Sequence, residues 1–182
     1  MNTLLPTNAA ILEDDALENF LQIWVAAITG LPPEMVRPRW QPEPANIPNF
    51  GVDWCAFGVT DQDPDTYAAE LPLNLDVGSE VRLHEKLTCL ASFYGPNAGK
   101  FVKLFRDGLQ LSQNREYLTL QGMGLVETGN VTTVPELVKE RWMKRKDLPV
   151  IIRRQIVREY AVPTIQVLQA TLDDEHHTIN IH

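Results

Sequence analysis

The chain has 182 residues, 44% hydrophobic and 22% charged, with thirteen prolines, ten glycines and a formal net charge of −8. That length suits one domain with a hydrophobic core and is short for two, and the composition is ordinary for a soluble globular protein, without low-complexity tracts or internal repeats. The first fifteen residues lack the basic start and apolar run of a signal peptide, and the longest apolar stretch, "IWVAAI", is far too short to span a bilayer; synthesis and folding in a cytoplasm are expected.

The clearest element is an N-terminal helix within residues 10–30. Leu17, Phe20, Leu21, Trp24, Val25 and Ile28 recur at helical spacing and form one wide apolar stripe. Glu13, Asp14 and Asp15 lie at its start, where the helix dipole favours carboxylates; Gly30 ends it and Pro32-Pro33 prevents continuation. Residues 31–51 form a proline-rich arm, in which Met35 to Gln41 can be only an edge strand because Pro38 has no N–H to donate. "GVDWCAFGVTDQD" predicts a strand and "TYAAELPLNLDVGSE" a weaker extended segment. "SEVRLHEKLTCLASFYG" predicts a strong strand, with Val81, Leu83, Leu87, Cys89, Ala91 and Phe93 on one parity and Arg82, His84, Lys86 and Thr88 on the other.

Gly95-Pro96 opens a helix with Phe101, Leu104 and Phe105 as its apolar face. A second short helix runs from Ser112, as N-cap, towards a stop at Gly122. "MGLVETGNVTTV" predicts a hairpin turning at Gly129-Asn130. The polar "PELVKERWMKRKD" leads into two strands, "PVIIRRQIVREYAV" and "TIQVLQATLDD". The tail, 174–182, either adds a last strand or hangs free as a mobile segment. Strands and helices do not alternate. The expected whole is therefore one α+β domain, 1–182, a mostly antiparallel sheet with helices packed on one face.

No constellation for catalysis, a cofactor or a metal stands out. Cys55 and Cys89 sit in apolar strands and read as buried reduced thiols, with a disulfide between neighbouring strands as the alternative, and there is no C-x-x-C. "GPNAGK" lacks the spacing and following Ser/Thr of a phosphate-binding loop. Asp61, Asp63 and Asp65 begin like a calcium loop, but Thr66 stands where it needs glycine and Pro72 where it needs glutamate, so a solvated acidic turn is expected. His176, His177 and His182 lie in the terminal segment.

Charge is distributed unevenly. Residues 1–80 carry a net −11 and residues 81–182 a net +3, and eight of the sixteen Lys/Arg fall between Lys139 and Arg158. Arg154 and Arg158 share a parity with Val150, Ile152 and Ile156, whereas Arg153 shares the other with Ile151 and Val157. Cations on both faces fit a strand that runs past a monomer core into a subunit or partner contact, where arginine pairs well with carboxylates. Lys144, Arg145, Lys146, Arg153, Arg154 and Arg158 are the candidate interface residues. A nucleic-acid-binding module using 139–158 is the alternative, though a pI near 5.0 argues against it. An enzyme with the acidic turn as a metal site is the third.

In order along the chain, "VRPRWQ", "DWCAFGVT", "SFYGPNAGKFVKLFRDGLQLSQNREYL" and "RWMKRKDLPVIIRRQIVREYAV" resemble the neck or tail terminator proteins of tailed bacteriophages and prophages, over about residues 12–172. The most distinctive piece is Tyr94-Gly95-Pro96 with the helix after it and "LQLSQNREYL". The resemblance implies a tail-terminator-like α+β fold and a structural virion protein rather than an enzyme. It implies a ring, typically a hexamer, that caps the finished tail tube and docks a head completion or neck protein. DNA would pass through its hole without specific binding, and no membrane is involved. A different head–tail or tail completion protein is the near alternative. A ring needs two unlike faces per subunit, and an acidic N-terminal portion with a basic C-terminal strand would supply them.

Overall fold

The structure, a computed structural model, describes residues 4–8, 11–41, 47–73, 78–138, 140–161, 167–172 and 175–180. In chain order the helices are α1 (Asp14–Thr29), α2 (Ala98–Gly108) and α3 (Ser112–Thr119). The strands are β1 (Val36–Pro38), β2 (Trp54–Pro64), β3 (Ala69–Leu73), β4 (Gly78–Tyr94), β5 (Met123–Thr128), β6 (Thr132–Val138), β7 (Arg141–Tyr160), β8 (Val167–Leu172) and β9 (Glu175–Asn180). The fold class is α+β with a mostly antiparallel sheet, as expected. The sheet runs β1-β2-β4-β7-β5, with β3 on β4 and β6 on β7.

The chain divides into two compact units. The larger comprises Ile11–Thr66 and His84–Ile156; the smaller comprises Met1–Ala10, Tyr67–Leu83 and Val157–His182. In the larger unit one face of the sheet carries the core. Cys55 and Phe57 of β2, Leu87, Cys89, Ala91 and Phe93 of β4, and Leu148, Val150 and Ile152 of β7 point the same way by strand alternation. The three helices cover them with Leu17, Leu21, Trp24 and Val25, then Val102 and Phe105, then Leu118. The α1 stripe is placed as its period predicts, with Phe20 and Ile28 at its partly buried margin. Trp24 meets Phe105 edge-on at 5.7 Å and donates its indole N–H to the Asn114 carbonyl at 2.6 Å, which ties α1 to both other helices. Gly30 adopts φ 72° and its N–H closes α1 on the Ala26 carbonyl.

Five local expectations are corrected. The α2 helix starts at Ala98 rather than at Pro96, because Gly95 must first turn the chain at φ 104° against Val52 and Asp53; Asp53 then accepts from the Asn97 N–H at 2.7 Å. Its buried face is Ala98, Val102 and Phe105, and Leu104 is exposed. Ser112 is the first helical residue of α3 and Leu111 holds the cap position, without a side-chain hydrogen bond. Finally, Gly129-Asn130 is no hairpin. β5 pairs with Val150–Arg154 and β6 with Arg141–Asp147, both antiparallel to β7, so the chain only kinks between them. The kink faces Pro149, whose ring packs where a side chain on Gly129 would stand, and the Gly129 N–H bonds the Pro149 carbonyl at 2.9 Å. The real hairpin is β6–β7, closing between Val138 and Arg141 with Glu140 at φ 64°. β7 therefore begins at Arg141, inside the segment read as a polar lead-in.

In the smaller unit β3 pairs antiparallel with Gly78–Arg82 of β4, and Pro6 bridges Tyr160. The tail adds a strand: β9 pairs antiparallel with β8, Leu172 opposite Glu175. Of the terminal histidines, His182 lies outside the described residues, as do Lys139 and residues 42–46 of the proline-rich arm.

Candidate assembly surface

The six candidate cations on β7 have very different surroundings. Arg154 is 3% exposed and faces the helices, on the parity of Val150 and Ile152. Its guanidinium binds the buried Glu85 carboxylate of β4, donates to the Leu12 carbonyl at 2.5 Å and pairs with Glu13 at 2.6 Å. Arg154 is thus fully engaged within its own subunit, which corrects its expected place on an assembly contact. The sequence held the signal: Glu85 sits on the apolar parity of β4 beside Leu87, and Arg154 on the apolar parity of β7. Two opposite charges on core-facing positions call for each other, since a lone buried charge is costly.

Arg145 sits on the sheet's other face. It donates to Asp147 through two nitrogens at 2.8 and 2.9 Å and to Glu136 at 3.1 Å, and lies 5.7 Å over the Tyr94 ring. Tyr94 stacks on Trp54 at 4.2 Å and 7°, with Met143 packed alongside. Burial pushes the Tyr94 phenol up to about 12, although the Arg145 charge pulls the other way. This small second cluster stiffens the root of the β6–β7 hairpin.

Beyond that root the hairpin tip reaches solvent. Leu137 and Trp142 are cross-strand partners, 58% and 71% exposed. Lys144 is exposed, Lys146 bonds the Thr133 hydroxyl, and Arg141 lies 5.7 Å over the Phe50 ring. A groove of about 260 Å³ opens beside the tip, lined by Phe50, Gly95, Pro96, Trp142, Met143 and Lys144. Aromatic residues and arginine are the side chains most enriched at interface hot spots. Sequence reading found the cations of this tip but not Trp142, because the segment was not recognised as a strand with an exposed face.

At the far end of β2 lies the acidic turn. Asp63 pairs with Lys86 at 2.9 Å and Asp65 with Arg153 at 2.7 Å, all four side chains well exposed. Among the described residues no three His, Cys, Asp or Glu groups converge as a metal-binding set. Tyr67, just beyond, is 88% exposed. His84 approaches Gln155 at 3.3 Å, and Arg158, in the smaller unit, is half-buried and has an interaction of its own. Cys55 and Cys89 are buried free thiols; burial raises both, Cys89 to about 12.

The family model for phage neck terminator proteins matches residues 15–176. The chain belongs to the phage neck terminator family. The match runs from the second residue of α1 through β8 to the first two residues of β9. No curated protein matches the chain. Membership makes this terminator a structural protein of the phage neck, placed in the virion among other neck and tail proteins. No described helix is long and apolar enough to cross a membrane.

Proposed function

We propose that the chain forms a ring, six copies in the assembled virion, that caps the finished tail tube and joins it to a head completion or neck protein. DNA passes through the hole without specific binding, and the protein performs no catalysis. Assembly takes place in the host cytoplasm. The observation that carries this reading is the terminator family match over nearly the whole chain. The charge distribution supports it: a ring uses heterologous contacts between unlike patches, and this chain has an acidic first half and a basic β7. Lys144, Arg145, Lys146, Arg153 and Arg158 contribute to the ring or tube contacts, with Lys144 and Arg153 exposed and Arg145 acting through the rigidity of the hairpin root. Native mass spectrometry of neck complexes released from virions tests the reading. Six copies bound with tube and neck proteins are expected; a single copy, or none, overturns it.

A further inference from the structure

We infer that within such a ring each copy seats the acidic segment Asp61–Leu71 of its neighbour, led by Tyr67, in the apolar groove beside the β6–β7 tip. This inference rests on the ring reading above and names the two surfaces that meet. The groove offers Phe50, Trp142 and Met143 as its floor and side, with Arg141 and Lys144 as a cationic rim. Its volume of about 260 Å³ is that of a pocket for one large side chain. Such a groove asks for an aromatic anchor flanked by carboxylates.

The chain carries that ligand itself. Asp61–Leu71 holds four carboxylates and no cation. In its midst stands Tyr67, at 88% the most exposed large apolar side chain among the described residues. Tyrosine brings a large contact area at low conformational cost, which suits it to be the anchor. Two of the carboxylates already have exposed partners, Lys86 and Arg153, but surface pairs of this kind bind weakly and leave the carboxylates able to face a second cation. Charge complementarity of this sort fixes the register of an interface and disfavours wrong partners.

The Asp61–Pro64 stretch and the groove lie at opposite ends of one strand. Trp54 begins β2 in the cluster with Met143, beside the groove, and Pro64 ends it ten residues later, roughly 30 Å away at about 3.3 Å per residue. The Asp61–Pro64 end of a copy therefore reaches the groove of another copy rather than its own. Contacts between unlike patches propagate head to tail, and they close into a ring when the rotation per subunit allows.

The experiment uses the full chain in assembling phage. Tyr67→Cys and Lys144→Cys are combined, virions are purified and treated with a short bismaleimide, and products are read on denaturing gels. Native Cys55 and Cys89 are buried and stay silent. The expected result is a ladder of covalent multimers of this chain alone, absent with either single cysteine. In parallel, Lys144→Glu is expected to lower incorporation into virions about tenfold, and Asp61→Lys in the same chain to restore it; Trp142→Ala should lower it at least as much. Normal incorporation without a ladder overturns the contact and leaves the ring standing. Cross-linking from position 144 to a tube or neck protein instead also overturns it. One copy per neck in the wild-type virion overturns both the contact and the ring.

Discussion

Replacing Arg154 by methionine should be among the most damaging single changes in the chain that add no clash. The guanidinium is 3% exposed and has three partners: Glu85, whose side chain is 8% exposed, Glu13, and the Leu12 carbonyl. Methionine fills much of the volume but leaves the Glu85 carboxylate buried opposite nothing. Removing one member of a buried pair costs about 3–5 kcal/mol, mostly from the charge left behind. Because Leu12 and Glu13 precede α1, the start of that helix should loosen as well. Replacing both members, Arg154→Met with Glu85→Leu, removes the orphaned charge and should recover most of the loss, to within about 1–2 kcal/mol of wild type. Urea unfolding at neutral pH measures all four corners of the cycle, and the coupling energy between the two sites is read from the difference. Single variants within about 1 kcal/mol of wild type, or a double variant no better than the sum of the singles, would refute the reasoning. One consequence concerns assembly: Arg154→Glu would set a carboxylate against Glu85 and Glu13, so loss of assembly in that variant reports misfolding, whereas Arg153 and Lys144 are exposed and can be reversed safely.

Trp24→Ala removes an indole that is 2% exposed, together with its bond to Asn114 and its edge contact with Phe105, and should cost about 3–5 kcal/mol in the same urea assay. Burial raises the Glu18 carboxyl above its usual range, against the lowering by the Val59 N–H that it accepts at 3.2 Å. The folded state therefore holds that proton more tightly than the unfolded one, and the contribution to stability is lost as pH rises through the raised value. Glu18→Gln, whose amide oxygen can still accept from Val59, should be more stable than wild type at neutral pH, with the advantage gone near about pH 4 in a series of unfolding midpoints. Duplex DNA should bind weakly or not at all at physiological salt, given the net charge of −8; tight, steeply salt-dependent binding in an anisotropy titration would favour the nucleic-acid-binding alternative.

What the sequence made legible was local and periodic. The α1 stripe and the alternation of β4 translate directly into burial, since a single element's period decides which residues face the core. The kink at Gly129-Asn130 was misread because turn residues announce a bend and not its angle. Whether the chain reverses depends on β7, whose Pro149 accommodates the kink some twenty residues away. The start of β7 was hidden by its composition. Arg141–Lys146 reads as a polar linker unless β6 is known to pair with it, and the alternation of Trp142 and Met143 between solvent and cluster follows only from that pairing. The Arg154–Glu85 pair spans 69 residues, beyond any local pattern, though both charges stood on apolar parities where each asked for a partner. The groove at the tip joins Phe50, Pro96 and Trp142 from three segments, and no spacing rule brings those together.

A tail that matures without this chain should lack its terminal ring. Electron microscopy of particles produced from a phage lacking it, with the wild-type chain supplied in a parallel culture as the control, is the direct measurement. Filled heads separate from tails are expected, with tail tubes that lack a terminal ring and vary in length, and complementation should restore joined particles. Complete, infectious particles with uniform, capped tails in the absence of the chain would contradict the proposed function.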